Sequence, residues 1–380
     1  MGNKAYKFRI YPNNEQSAFL AKCFGCSRFV YNHFLRVTTD VYAQSKKSLR
    51  YKEWAKLLVS LKSEFEWLKE VNSQSLQQTL KDLESAFTRF FKKLGGFPNF
   101  KKRSDRQSFR VPQHFSIDEN GFLMLPKMTP IKMVIHREFG MPKNVTISKT
   151  RSGKYYASIV TEQDIPHATL NGDKIGLDLG INEFAITSKA EKFENPKYFK
   201  RSLRRLKIRQ RRLSRKEKGS NNRAQSRIVV AKVHEKVANQ RLDYQHKISL
   251  KLTCENQAIS VEDINIKAMV KNRKLARQIS DVAWGNFLTM LKYKGDIYGC
   301  EIKYVDRFFP SSKRCSNCGY IKEDLTLKIR EWECPECRRF WDRDVNASLN
   351  LMLFSESKIP QEVGKSTPDQ LDLKTRNEPQ

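Results

Sequence analysis

Cys315-x2-Cys318 and Cys334-x2-Cys337 stand fifteen residues apart, just before the acidic string Asp342-Arg343-Asp344-Val345-Asn346. The spacing matches a four-thiolate structural zinc site. Zinc takes soft ligands placed tetrahedrally, and two tight turns that each present two thiolates supply them. A chain with this feature must fold a small metal-clamped finger and run straight from it into carboxylates that could hold a second metal. Four unrelated buried thiols are the alternative, and this spacing disfavours them.

Composition narrows the partner. Lys plus Arg number 72 against 41 Asp plus Glu, a net charge of +31. Such an excess repels itself unless a polyanion neutralises it, which points to nucleic acid. No run of about 18 apolar residues and no signal-peptide pattern appear, so no membrane is expected and the chain reads as cytoplasmic or nucleoid-associated. Eight cysteines in 380 residues are too sparse for a disulfide scaffold, which fits a reducing compartment. Two or three domains are expected at this length.

Tyr6-Lys7-Phe8-Arg9-Ile10 alternates with period two and stops at Pro12, a short strand. A helix capped by Asn13 or Asn14 follows, carrying Phe19, Leu20, Cys23 and Phe24, with Gly25 expected to end it before a second helix through Val30 and Phe34. Leu76, Leu80, Leu83 and Phe87 mark a third helix after Ser73 or Ser75. From Phe90 to Arg110, Phe91, Phe97, Phe100 and Phe109 are interleaved with Lys92, Lys93, Lys101, Lys102, Arg103 and Arg106. This mixture suits stacking on bases while neutralising phosphates; a loop anchored to the core by its phenylalanines is the equal alternative. Short strands are expected at Phe122–Leu125, Ile131–His136, Val145–Ser148 and Lys154–Val160, the last two joined as a hairpin through Arg151-Ser152-Gly153. Closing them with the N-terminal strand would make a small β-barrel with the early helices as an insertion. A linker is expected over Asp164–Gly172.

In Lys174-Ile175-Gly176-Leu177-Asp178-Leu179-Gly180 one carboxylate interrupts an apolar strand between two glycines. A strand core excludes Asp unless it coordinates something, although a turn aspartate is the plainer reading. Ala258-Ile259-Ser260-Val261-Glu262 again ends an apolar strand in acid, and Asp344 opens a helix carrying Val345, Leu349 and Met352. Acids at strand and helix ends form the oxygen cage that Mg2+ prefers. Two such ions would activate water and stabilise the leaving oxygen of a phosphodiester.

In this order, Gly-Leu-Asp178-Leu-Gly, Val-Glu262-Asp-Ile-Asn, Phe308-Phe309-Pro310-Ser311-Ser312-Lys313-Arg314-Cys315-Ser316-Asn317-Cys318-Gly319 and Asp342-Arg343-Asp344-Val345-Asn346-Ala347 resemble TnpB, the OrfB-type insertion-sequence family related to type V CRISPR effectors. Lys4 to Pro12, Phe24-Gly25-Cys26, Arg28 to Asn32 and Asp105 to Phe109 extend the likeness over nearly the whole chain. The resemblance implies an RNA-guided DNA endonuclease. Its parts would be a wedge-like barrel (1–12 and 97–165) with an inserted helical recognition bundle (13–96), a RuvC-like RNase H domain (173–309 and 340–354) with an inserted zinc ribbon (310–339), and a disordered tail (355–380). Asp178, Glu262 and Asp344 would be the catalytic triad on two Mg2+ ions, and the four cysteines the ligands of structural Zn2+. Asp342 is the near alternative for the third acid, but the family pattern puts that acid two residues before the Asn. The implied partners are a guide RNA from the transposon end, double-stranded target DNA with a flanking motif, and a functional link to a separate transposase of the same element; base pairing would supply specificity. Two positions depart from the pattern: Arg338 where Gly is frequent, and Trp341 where His is common.

Lys200–Lys218 holds eleven basic residues and one acid, Glu217. Leu203, Leu206 and Leu213 lie near one side of a helix there, which offers Arg201, Arg204, Arg205, Arg211, Arg212 and Arg215 to phosphates. Trp284, Leu288, Leu291 and Tyr298 read as an ordinary core helix, and Cys23-x2-Cys26 as core rather than metal. Two other classes stay open: a strand-transfer transposase using the same acids, and a catalytically silent zinc-ribbon regulator.

Overall fold

The computed structural model describes residues 2–163, 172–326 and 328–356. The linker expected at Asp164–Gly172 therefore lies outside the described residues except for Gly172. The chain divides into two compact units, Met1–Pro166 with Tyr198–Leu242, and His167–Lys197 with Asp243–Gln380.

The first unit is built on a seven-stranded antiparallel sheet. Strands β1 (Gly2–Tyr11), β2 (Gln107–Val111), β3 (Ser116–Ile117), β4 (Phe122–Met124), β5 (Ile131–Val134), β6 (Pro142–Lys149) and β7 (Tyr155–Gln163) lie in the order β2-β6-β7-β1-β5-β4-β3. β1 takes a central place because Tyr6, Phe8 and Ile10 alternate inward, and both edges pair, with β7 along Gly2↔Gln163 to Ile10↔Tyr155 and with β5 at Arg9↔Val134. Gly153 at φ +88 turns the β6–β7 hairpin where expected, and its N–H donates to the Thr150 carbonyl at 3.0 Å.

The helices differ from expectation in three places. Asn13 does cap α1 (Asn14–Ser45), in a reciprocal box with Gln16. Gly25 ends nothing: α1 runs through it for 32 residues. A Cβ at Gly25 would meet nothing within 4 Å, so the glycine sits on the open side. Its helix penalty of about 1 kcal/mol is outweighed by the buried stripe that continues through Cys26, Val30, Phe34 and Leu35. The sequence reading missed α2 (Tyr51–Glu64), whose inward face is only Trp54, Leu58 and Leu61. α3 (Ser73–Phe91) buries Leu76, Leu80, Leu83 and Phe87 as expected, but Asn72 caps it, not a serine. The basic aromatic segment splits: Phe109 is core, whereas Phe91, Phe97 and Phe100 are about half exposed. This unit also holds α4 (Tyr198–Ser214), anchored by buried Leu206, and the first part of α5 (Asn221–Glu255).

The second unit carries a mixed five-stranded sheet. Strands β8 (Lys174–Asp178), β9 (Glu183–Thr187), β10 (Lys192–Glu194), β11 (Ala258–Glu262) and β12 (Glu301–Val305) lie in the order β10-β9-β8-β11-β12. β8, β11 and β12 are mutually parallel, while β9 and β10 pair antiparallel. Runs such as Ile175-Gly176-Leu177 and Ala258 to Val261 are continuously buried, as a sheet covered on both faces requires. Short α6 (Ile266–Met269) and α7 (Ala276–Val282) lead to α8 (Trp284–Tyr298), which contributes Trp284, Phe287 and Leu291 to the core. Strands β13 (Glu331–Glu333) and β14 (Phe340–Asp342) form a small hairpin, and α9 (Arg343–Glu356) closes the description. It takes in Ser355 and Glu356, the first two residues of the expected tail; 357–380 lie outside the described residues.

Gly176 sets how closely α9 lies on β8. A Cβ there would fall 1.7 Å from the Ser348 carbonyl oxygen and 2.8 Å from the Met352 nitrogen, both backbone atoms. Gly176→Ala must therefore push the helix off the strand, a loss of about 3 kcal/mol. Urea unfolding of the purified variant checks this, with an unchanged midpoint as the contrary result.

Candidate active site and metal centre

Asp178 and Glu262 are the last residues of neighbouring parallel strands. The register Val261↔Leu177 brings them side by side at the carboxyl ends, where open α/β sheets bind their ligands. Asp344, in the first turn of α9, comes to the same place because Ser348, one turn further on, rests against Gly176.

Asp178 feels the other two acids. Burial pushes the Asp178 carboxyl up to about 7, and the negative charges of Asp344 and Glu262 add to the rise; Arg343 opposes it. Glu262 is raised by burial and by Asp263, against the pull of Arg307, whose guanidinium pairs with Asp263. Repelling carboxylates at the rim of a core are what a hard cation relieves, so the donor set fits Mg2+. The cluster is open: among the described residues only the four cysteines bring their ligand atoms within 4.8 Å of one another. Two cations already sit on Asp344. Arg330 Nη1 reaches its two oxygens at 3.1 and 3.4 Å, and Arg343 Nε lies 3.3 Å away.

Asp342, the alternative third acid, is otherwise engaged. Its Oδ1 accepts the N–H groups of Asp344 at 3.0 Å and Val345 at 3.2 Å, capping α9, and its Oδ2 pairs with Lys192 at 2.6 Å. Burial works against its charge, but Lys192 and these N–H groups outweigh that and hold its carboxyl low.

The four thiols come together. Cys315 and Cys337 Sγ lie 3.6 Å apart, Cys318 and Cys334 Sγ 3.5 Å. The two turns repeat one pattern: Gly319 N–H donates to the Cys315 carbonyl and Arg338 N–H to that of Cys334, both at 2.9 Å, while Cys315 N–H reaches Tyr320 O and Cys334 N–H reaches Arg339 O. The Arg339 N–H is the first of the influences that lower the Cys337 thiol to about 6. Four sulfurs that all lie within 4.8 Å of one another fit Zn2+. Trp341, the departure from the family pattern, is buried and donates Nε1–H to Cys315 Sγ at 3.2 Å.

The other departure leaves strain. Gly319 at φ +83 and Arg338 at φ +58 occupy equivalent left-handed positions, free for glycine and costly for arginine. The Arg338–Glu333 pair, 3.9 Å and exposed, returns little. Arg338→Gly should thus strengthen the knuckle by about 1 kcal/mol, read as slower zinc loss to a chelator; faster loss would count against the strain.

Asn346 and Asn350, both buried, join the metal centre to the acids. Asn346 accepts Ser316 N–H at 2.9 Å and donates to Arg314 O at 2.7 Å; Asn350 donates to Arg314 O and to Ser311 O at 2.6 and 2.8 Å. The helix that bears Asp344 is thereby tied to backbone on both sides of Cys315. The sequence reading missed this role, as it missed Arg330 and Lys192; two asparagines four apart on the buried face of a helix were the available signal.

The basic candidates are on the surface. Arg201, Arg204, Arg205, Arg211 and Arg212 are exposed along α4, and Arg215 is exposed in the turn just after it. Lys101, Lys102 and Arg106 are exposed in the loop before β2, with the Lys101 ammonium 3.7 Å from the Tyr31 ring centroid. Cys23 and Cys26 are core, as expected, their thiols pushed by burial to about 12 and about 11.

Three domain profiles match this chain: "Probable transposase" of the OrfB_IS605 family over residues 158–273, "Cas12f1-like, TNB domain" over 284–351 and "Helix-turn-helix domain" over 1–47. In the last span the structure has β1 and one continuous helix rather than two. A Streptomyces pristinaespiralis protein called "Putative RNA-guided DNA endonuclease" is 39% identical over 356 residues, covering 92% of this chain and 88% of its own. An Escherichia coli K12 protein called "Putative RNA-guided DNA endonuclease InsQ" is 33% identical over 373 residues, covering 92% and 91%. The solved Cas12f1–sgRNA–target DNA complex aligns over 93% of this chain and 99% of that one at 15% identity, with a TM-score of 0.34.

Proposed function

We propose that this chain, which belongs to the TnpB (OrfB-type) family, is an RNA-guided, metal-dependent DNA endonuclease that cuts beside a short flanking motif with a RuvC-like site. The observation that carries the proposal is the convergence of Asp178, Glu262 and Asp344 at the ends of β8, β11 and α9, where burial, and after it the charges of Asp344 and Glu262, lifts Asp178 to about 7. The order β10-β9-β8-β11-β12 supports the RNase H-like reading. The relatives' printed names support guidance by RNA.

In this reading Asp178, Glu262 and Asp344 hold two Mg2+ ions, which when bound polarise the scissile phosphate, the attacking water and the leaving oxygen. Asp342 positions Asp344 by capping α9. Arg330 and Arg343 neutralise Asp344 in its resting arrangement. The four cysteines hold Zn2+ and fix the knuckle on which α9 is mounted. The seven-stranded sheet would serve as the wedge-like barrel and α1–α3 as the recognition bundle, and the exposed arginines of α4 with Lys101, Lys102 and Arg106 would meet the phosphates of guide and target. The bacterial cytoplasm, beside a separate transposase of the same element, is the setting we assign. Among the described residues no helix is long and apolar enough to cross a membrane.

Strand transfer is the second reading, favoured by the description of the matched profile. Purification of the full chain from cells that also express its flanking transposon end tests the proposal. A discrete co-purifying RNA that programs cleavage without joining of ends is expected; protein free of RNA, or joined products, would overturn it.

A further inference from the structure

The first unit contains a cavity of about 690 Å3 that the proposed chemistry does not use. It lies between the middle of α1, the loop before β2, the β6–β7 hairpin and the face of α5. Arg28, Arg103, Lys149, Arg151 and Arg227 line it against a single carboxylate, Asp105. That carboxylate already accepts the Lys102 N–H at 2.7 Å. Arg103 and Arg227 form no ion pair among the described residues. Five cations around one concave surface repel one another until an anion enters.

Ala21 and Phe24 on α1 and Val230 and Ala231 on α5 give the lining an apolar wall, and Ser104, Gln107, Thr150 and His234 complete it with polar groups. The walls are tied in place. Glu235, next to this stretch of α5, accepts Ser152 Oγ–H at 2.9 Å and pairs with Lys154 at 3.0 Å on the hairpin. Arg28 donates to Gln107 Oε1 at 2.9 Å, and Arg151 Nε to the Ser104 carbonyl at 3.2 Å. An apolar wall facing fixed guanidinium groups suits a flat base with phosphates on either side.

We propose that this cavity holds one unpaired nucleotide of the RNA that the protein carries, its base against the Phe24–Val230 wall and its flanking phosphates on Arg103, Arg151 and Arg227. This rests on the RNA-carrying function proposed above. The volume is that of a small-ligand site, enough for a nucleotide and far too small for a duplex. Single-stranded loops and bulges of RNA present splayed bases of this kind, whereas target DNA arrives paired.

The test uses the full chain co-expressed with its flanking RNA, as wild type, Arg103→Ala/Arg227→Ala, Ala231→Phe, and Lys52→Ala/Lys56→Ala as a charge control on α2. RNA affinity is measured at several salt concentrations, and the bound RNA is probed chemically nucleotide by nucleotide. We expect one unpaired nucleotide protected in the wild type and exposed in the first two variants, with affinity about tenfold lower and a shallower salt slope for the arginine variant. Ala231→Phe removes no charge, so it separates filling the cavity from lowering the net charge. Wild-type protein that carries RNA with no such nucleotide, or variants no weaker than the control, would overturn the pocket alone. Protection appearing on target DNA instead would also overturn it. Protein that carries no RNA would overturn the guided function itself.

Discussion

Asp178→Asn abolishes DNA cleavage and, at pH 8, stabilises the protein held without magnesium. The two effects share one cause. The folded protein lifts the Asp178 carboxyl to about 7 through burial and the charges of Asp344 and Glu262, so the folded state binds the proton more tightly than the unfolded chain. Its contribution is fully present below the unfolded value near 4 and is lost as pH rises to about 7. Above that, folding carries an uncompensated carboxylate, a burden on the order of 2 kcal/mol after allowance for the partial exposure of the side chain. The amide removes this burden and also one of the three proposed cation ligands, so cleavage should fall by roughly a thousandfold or more. Thermal unfolding at pH 5 and pH 8 in magnesium-free buffer, with zinc retained, checks the first half. The wild type should lose stability between the two, the variant should not, and Mg2+ should restore the wild type chiefly at pH 8. A flat pH profile in the wild type would mean that folding does not raise the Asp178 carboxyl.

Loss of zinc should disable the acids from a distance. Cys315 is flanked by the two backbone groups that Asn346 holds, Arg314 O and Ser316 N–H, and Asn346 is two residues from Asp344 on the same helix. With its few buried residues, Leu325, Trp332 and Trp341 among them, the knuckle cannot stay folded without metal. Cys315→Ser should therefore release zinc, unfold the knuckle and abolish cleavage. Asn346→Ala, which keeps all four thiols, isolates the link. It strands a buried N–H and weakens the hold on Arg314 O, about 2 kcal/mol of destabilisation. Zinc content by metal analysis beside Mn2+ affinity by calorimetry separates the cases: Asn346→Ala should retain zinc and bind Mn2+ more weakly. A folded, zinc-free Cys315→Ser protein with normal cleavage would show that the knuckle does not support Asp344.

What was legible in the sequence was what local pattern encodes. The cysteine spacing announced the four close thiols, the acids ending apolar runs marked the carboxyl ends of β8 and β11, and the alternation of Tyr6, Phe8 and Ile10 announced β1. Asn13 could be recognised as a cap because a capping box is local, whereas Gly25 misled because the direction a helical glycine faces depends on the packing around α1. α2 escaped notice because three buried residues in fourteen leave little periodic signal. The distant partners were the least accessible. Lys192 on Asp342 spans 150 residues, and Arg330 on Asp344 depends on how the β13–β14 hairpin returns. The basic cavity draws on four separate segments, so its arginines showed only as scattered charge, unlike the contiguous run along α4.

RNA-guided cutting at the three acids is tested most directly by cleavage of a plasmid library, a fixed target beside a randomised flank, by protein co-expressed with its flanking RNA and supplied with Mg2+, next to Asp178→Ala. Cuts confined to one flanking motif, dependent on the match to the RNA and absent from the variant, are expected. Cuts that ignore the RNA, or that persist in Asp178→Ala, would contradict it.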